Sequence, residues 1–221
     1  SINISRLLPQ TVYYAWAWLK SGKKQNILIS VPSGNFGNIT GGLIAKKMGL
    51  PFLKFIASVN ENKVFPKYLS SGKFYPVPSR QTLSNAMDVG NPSNISRINA
   101  LYKDDINLMK RDISSYSFND DITSKSILEI FKEYNYNVDP HTAVGISGLK
   151  RFLKDKNKQK ITEIVLSTAH PAKFSDTIEP ILRENINLPD KLKLCMKKKK
   201  QSIKISNSYI EFKNYLMSNK N

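Results

Sequence analysis

Residues 27–51, "ILISVPSGNFGNITGGLIAKKMGLP", restrict the possible folds more than any other part of the chain. The aliphatic, β-branched run 27–31 has the character of a strand buried on both faces. It breaks at Ser33-Gly34-Asn35-Phe36-Gly37-Asn38 and resumes as an amphipathic helix over 39–48, closed by Gly49. Pro51 then opens a second strand over 52–57. A strand, a helix and a strand in succession return the chain parallel to itself by a right-handed crossover. The expected fold class is therefore α/β, a parallel sheet with helices packed on it. A helix that starts behind a glycine loop presents free N–H groups and the positive end of its dipole, which together suit an anion. "SGNFGN" offers Gly34 and Gly37 for close backbone approach, with donors on Ser33, Asn35 and Asn38. It is neither a Gly-x-x-x-x-Gly-Lys-Ser/Thr loop nor a Gly-x-Gly-x-x-Gly fingerprint. By spacing alone, a phosphate cup and a plain strand-to-helix turn both stay open.

A third strand is expected over 161–166, again running into small residues, Ser167-Thr168-Ala169. Helical patterns occupy 7–19, 95–110, 122–134 and 142–153, with loops at Pro76, Pro78, Pro92 and Pro140. Beyond residue 190 a lysine-rich connection leads to one short helix over 209–217, so the chain divides into 1–190 and 191–221. The first apolar helix begins almost at once, without a leading loop. That start is expected of a fragment whose upstream part is missing.

With 40% hydrophobic residues among 221, the chain can bury a real core. No apolar run approaches the roughly 18 residues of a membrane span, and no secretory pattern is visible. One cysteine, Cys195, excludes an internal disulfide and any Cys-rich metal site. The expectation is a cytoplasmic protein with no membrane partner. The balance of 34 basic against 17 acidic residues gives a net charge of +17, the mark of many nucleic-acid binders. Here lysine dominates, among many Asn and Ile residues. The densest run, 197–200, has no arginine forks or interleaved aromatics. No nucleic-acid partner is expected, and a basic nucleic-acid-binding domain stands as the alternative from a different class. His141 in "DPHTAVG" and His170 in "STAHPAKF" have no ligand-spaced Cys, Asp or Glu around them, so no metal site is expected.

Six segments, "SINISRLLPQ", "VPSGNFGN", "MGLP", "SNAMDVGNPSN", "DPHTAVG" and "STAHPAKF", in this order and at these separations, resemble the threonine synthase family of fold-type II pyridoxal-phosphate enzymes. The resemblance covers 1 to about 190 and corresponds to the later half of such an enzyme. It implies an incomplete fold-type II architecture, like that of the tryptophan synthase β-chain, with pyridoxal 5'-phosphate as cofactor. Its phosphate would be gripped by Gly34, Asn35, Phe36, Gly37 and Asn38. Thr168, or the neighbouring Ser167, would face the pyridine nitrogen. A neutral hydroxyl there does not force that nitrogen to stay protonated, which restrains the ring as an electron sink. Asn3 and Arg6 would touch the phosphate of the substrate, O-phospho-L-homoserine, which the family converts with water to L-threonine and phosphate. The family's Schiff-base lysine lies in a Phe-Lys-Asp-type phrase upstream of these segments. No such phrase occurs here, and Lys173 of "PAKF" does not match it. The resemblance thus implies no catalytic residue in this chain, an absent N-terminal half as partner, and no activity in isolation. Serine or threonine dehydratases and cysteine synthases share a glycine loop, but not "SNAMDVG" followed by "STAHPAKF".

Overall fold

In a computed structural model of the chain, residues 3–154 and 161–218 are described, which leaves the first two residues of "SINISR" outside. Two turns of 3-10 helix, Ile4–Arg6 and Leu8–Gln10, come first. Pro9 lacks the N–H that a longer helix would use, so α1 begins only at Thr11 (Thr11–Lys20). Then follow β1 (Ile27–Pro32), α2 (Gly37–Lys47) and β2 (Phe52–Val59), as the crossover pattern requires. Helix α3 (Val64–Ser71), with Pro66 in its first turn, was not expected from periodicity. The single helix expected over 95–110 is two, α4 (Ile95–Tyr102) and α5 (Ile106–Asp112). Lys103 and Asp104 take left-handed φ values of 52° and 59° at the break. The Asp105 carboxylate then caps α5 by accepting from the amides of Asn107 and Leu108 at 2.8 and 3.0 Å. β3 (Ile113–Ser117) reads "ISSYS", too short and polar to stand out as a strand. α6 (Asp120–Tyr134), α7 (Pro140–Leu153), β4 (Thr162–Val165) and α8 (Ser175–Leu182) complete a compact unit, Ser1–Ile186. A second unit, Asn187–Asn221, carries α9 (Asp190–Met196) and α10 (Tyr209–Ser218), neither with a buried residue.

The sheet runs β3-β2-β1-β4, and every neighbouring pair is parallel. Strand β1 is central and buried along its whole length. Ile27, Ile29 and Val31 turn to one face, against Tyr14 of α1, Ile39 and Leu43 of α2, Phe65 of α3 and Ile98 of α4. Leu28, with Ile56 of β2, turns to the other face and meets Leu149 and Phe152 of α7. α7 lies unusually close to the sheet because it presents glycine there. A Cβ on Gly148 would sit 1.9 Å from Ser58 Oγ. The Ser30 hydroxyl, buried in mid-strand, donates to the Gly145 carbonyl at 2.6 Å and lies 2.9 Å from Ser58 Oγ, so the polar atoms at this contact are paired.

Behind the first face, one buried carboxylate ties three helices together. Asp112 of α5 accepts from Lys46 Nζ of α2 and from the Tyr102 hydroxyl of α4, each at 3.0 Å. Burial pushes this carboxyl up, but the hydrogen bonds and charge of Lys46, the Tyr102 hydroxyl and the charge of Arg111 outweigh it and hold Asp112 below the usual range. A carboxyl depressed in the fold stabilises it above its unfolded pKa of about 4, and that stability is lost as pH falls through the lower folded value. Asp112→Asn is therefore expected to cost about 1–3 kcal/mol at neutral pH and to flatten part of the loss of stability below about pH 5, as read by urea unfolding across pH.

α1 buries only Tyr14, while Val12, Tyr13 and Trp16 are 61%, 60% and 58% exposed. A strip of this kind, contiguous along one helix, drives association. The isolated chain should self-associate in light scattering, and Val12→Glu with Trp16→Glu should shift it toward monomer without lowering its unfolding midpoint.

Candidate functional site

Because all four strands are parallel, their C-terminal ends lie along one edge of the sheet. The order β3-β2-β1-β4 reverses between β1 and β4, since the chain builds outward to β3 and then returns to the far side of β1. Such a switch leaves a crevice outside the two strand ends, where ligands of open α/β sheets sit. The loop after β1 is SGNFGN, and the loop after β4 carries Ser167 and Thr168. Ser30 pairs with Val165, and the Leu166 amide donates to the Ser30 carbonyl at 3.0 Å. The ladder ends there, and Thr168 lies three residues past its last pair, as Ser33 does on the β1 side. The two loops expected to hold opposite ends of one cofactor thus leave the sheet side by side.

Each residue of the cup has a distinct setting. The Ser33 amide continues the ladder by donating to the Ser58 carbonyl at 2.8 Å. Gly34 faces the 3-10 turn Asn85–Met87, and a Cβ on it would lie 2.6 Å from Met87 Cα and 3.0 Å from the Ala86 carbonyl. Asn35 is engaged by the chain at 93–94. The Ser93 amide donates to its Oδ1 at 2.6 Å and Asn94 Nδ2 to its carbonyl at 2.7 Å. Phe36 takes a left-handed φ of 61° immediately before α2 starts, its ring buried against Phe65 at 4.5 Å between centroids. Its aromatic body belongs to the core, and only its backbone is placed to serve a ligand. Gly37 is the first residue of α2, and the first amide to close a turn is that of Thr40, donating to the Phe36 carbonyl at 3.1 Å. By helix geometry the amides of Gly37, Asn38 and Ile39 then have no helix carbonyl to donate to. The Tyr14 hydroxyl lies 2.9 Å from both the carbonyl and Oδ1 of Asn38 and donates there, fixing α1 beneath the cup.

Thr168 is exposed on its loop. Asn3 is taken up as a cap, its Oδ1 accepting from the Ser5 amide at 2.9 Å, and Arg6 is exposed in the first 3-10 turn. The following turn packs on α2, where a Cβ on Gly41 would lie 3.1 Å from Gln10 Cβ. The segment with Asn3 and Arg6 therefore approaches α2 about one turn beyond the cup.

Several residues that shape the site stand outside the expected set. Asn60 and Asn62, just after β2, donate through Nδ2 to Asp88 Oδ1 at 2.8 and 3.3 Å, and Thr82 Oγ1 donates to the same oxygen at 2.8 Å. This network holds the "SNAMDVG" loop over the strand ends. Ser93, Asn94 and Tyr14 hold the cup itself. For Asp88, Ser93 and Asn94 the signal in the sequence was the Asn- and Ser-rich composition of 84–94, which has the look of an ordinary loop, and Tyr14, Asn60, Asn62 and Thr82 had none.

Comparison with known proteins supplies the family. Residues 142–216 match the family model described as threonine synthase, C-terminal. The threonine synthase of Haemophilus influenzae is 42% identical over 219 residues, covering 98% of this chain and 50% of that protein. The chain belongs to the threonine synthase family. Among solved structures, a PLP-bound threonine synthase from Brucella melitensis superimposes with a TM-score of 0.89 at 28% identity, covering 99% of this chain and 52% of that one. The chain spans about half the length of the curated threonine synthases it matches. A fungal L-serine ammonia-lyase from Rhizomucor miehei shares the fold alone, at 13% identity and a TM-score of 0.58 over 76% of this chain. The architecture is thus the fold-type II one that the sequence segments imply, with a parallel four-stranded sheet.

The crowding at Gly34 generates a test. A methyl group there meets backbone, which cannot rotate away. Gly34→Ala should destabilise the chain by about 1–3 kcal/mol in urea unfolding and shift the amide resonances of 84–88, while its far-ultraviolet circular dichroism stays unchanged.

Proposed function

We propose that this chain is the cofactor-binding part of a threonine synthase, which converts O-phospho-L-homoserine and water to L-threonine and phosphate with pyridoxal 5'-phosphate. The observation that carries the proposal is the placement of SGNFGN and of the Thr168 loop on either side of the switch between β1 and β4. The donor set fits the cofactor. Gly37, Asn38 and Ile39 offer helix-start amides for a phosphate dianion, with Gly34, Asn35 and the Phe36 backbone shaping the cup around it. Thr168 supplies a hydroxyl, a neutral group for a ring nitrogen. Bound pyridoxal phosphate supplies an electron sink for charge developing on the substrate. Arg6 brings a guanidinium fork suited to the substrate phosphate, with Asn3 beside it.

The residue that would move protons at the substrate carbons is, by the family pattern, a lysine in the earlier half, and no lysine of this chain takes that place. The uncovered strip on α1 suits the same reading, because a helix that is apolar on most sides belongs inside a larger body. That earlier half is thus the partner this reading calls for, and the cytoplasm its setting. Among the described residues no helix is long and apolar enough to cross a membrane.

The assay is phosphate release from O-phosphohomoserine with pyridoxal phosphate, for the chain alone and with the earlier half of the Haemophilus influenzae relative supplied. Release only with that half, at least about 10²-fold above the chain alone, is expected. Turnover by the chain alone, or borohydride fixation of the cofactor on Lys173, would overturn the reading. Ammonia release from serine in place of phosphate release would favour a dehydratase.

A further inference from the structure

Asp139 is fully buried at the start of α7 and carries more bonds than capping requires. Its Oδ1 accepts from the amides of His141 and Thr142 at 2.9 and 3.3 Å, and the His141 ring nitrogen Nδ1 lies 2.8 Å from the same atom. The Thr142 hydroxyl donates to its Oδ2. Burial alone would raise this carboxyl, but the hydrogen bonds from His141 and Thr142 outweigh it and hold Asp139 below the usual range. A carboxylate can only accept, so His141 Nδ1 must carry the proton. Nε2 is then an acceptor, and the Ala86 amide donates to it at 3.1 Å. Ala86 belongs to the turn that Gly34 abuts.

The same cluster reaches the other side of the crevice. The hydroxyls of Thr142 and Ser167 lie 3.3 Å apart, and the His141 ring packs on Phe174 at 5.0 Å between centroids. One buried cluster therefore touches both sides: His141 meets the wall of the glycine cup, and Thr142, bonded to Asp139, meets Ser167 beside Thr168. Asp88 holds the 84–88 segment two residues further on. At Ala86 the bond comes from His141.

We infer that Asp139 and His141 are positioning residues for the cofactor site: the carboxylate fixes the imidazole as its Nδ1–H tautomer, so that Nε2 holds Ala86, and with it the wall behind Gly34, in register with the Thr168 loop. The inference rests on the reading of SGNFGN as the phosphate cup. Neither residue touches the cofactor in this role.

The chain has two histidines, and they make opposite demands. His170 Nδ1 accepts from the Ala172 amide at 3.1 Å, so a neutral His170 is the Nε2–H tautomer. Ring 15N spectra of the 221-residue chain at pH 7.5 should show one of each, and Asp139→Asn, which no longer dictates the proton, should change the His141 pattern alone. Two variants separate positioning from bulk. His141→Gln places an amide oxygen near the Nε2 position, whereas His141→Asn keeps a donor toward Asp139 and reaches nothing at Ala86. His141→Asn should lose the protection of the Ala86 amide, move the Gly34 amide resonance and weaken pyridoxal phosphate binding about tenfold, while His141→Gln stays within about threefold of the parent chain. An Nε2–H ring at His141 in the parent chain, or equal effects of Asn and Gln on the Ala86 and Gly34 amides, would overturn the inference. These spectra need no cofactor. A chain with the expected tautomers and amide shifts that binds no pyridoxal phosphate even with the earlier half supplied would therefore refute the cup assignment and support the Asp139–His141 arrangement of the loop.

Discussion

The parallel pairing of β1 with both β2 and β4 is the constraint on which the rest depends. Once both neighbours run in the same direction as β1, every connection must cross a face of the sheet, and helices must cover both faces. β1 is consequently buried on both sides and carries no polar side chain except Ser30, whose hydroxyl is satisfied by α7. The same geometry sends the loops after β1, β2 and β4 to a single edge. The reversal of strand order beside β1 then sets SGNFGN and the Thr168 loop on either side of the switch, where the proposed site would lie. The site follows from the order in which the chain lays down its strands, and the local sequence of the loops only furnishes it.

How much of this was legible depended on whether a segment's own residues determined its state. For the β1-α2-β2 unit they did: a strand run with four aliphatic residues in five, a glycine break, an amphipathic run and a proline gave the elements to within one or two residues. β3 was not legible, because "ISSYS" becomes a strand only by pairing with β2, where Phe55 lies opposite Ile113. Tertiary context, and not local preference, makes it a strand. The single helix over 95–110 failed for a local reason. Asp105 competes for the amides that would have continued it, and two residues in left-handed geometry precede it.

The site divides in the same way. Glycines at 34 and 37 announce close backbone approach, and the family resemblance places them in a cup. What no pattern announces is which groups hold that cup still. Asn35 looks like a ligand donor in the sequence, which does not show that Ser93 holds its side-chain oxygen and Asn94 its carbonyl. Phe36, named with the cup, contributes its ring to the core. Such roles depend on partners 29 to 59 residues away in the chain, a separation that periodicity cannot sense.

The buried polar side chains are not spread evenly through the first unit. Asn60, Asn62, Ser84, Asp139, His141 and Thr142 all lie within the loops and helix start at the C-terminal edge. An unpaired polar group in the interior costs about 1–3 kcal/mol, so a fold selected only for stability would place apolar residues there. Here Asn60 and Asn62 meet their bonds on the 82–88 loop and His141 on Ala86, while Asp139 and Thr142 bond one another at the helix start and Thr142 lies 3.3 Å from Ser167. A hydrogen bond has direction where an apolar contact does not, so a loop held by several of them has one position and not a range of them. At the opposite end of β1, where Ile27 faces Phe52 and Thr162, apolar contact does more of the work, and the buried Asp112 with Lys46 and Tyr102 ties helices to one another rather than loops. The contrast is what the proposed site would require: directional bonds that fix the position of loops at the edge where a phosphate would be gripped, and helix packing at the other.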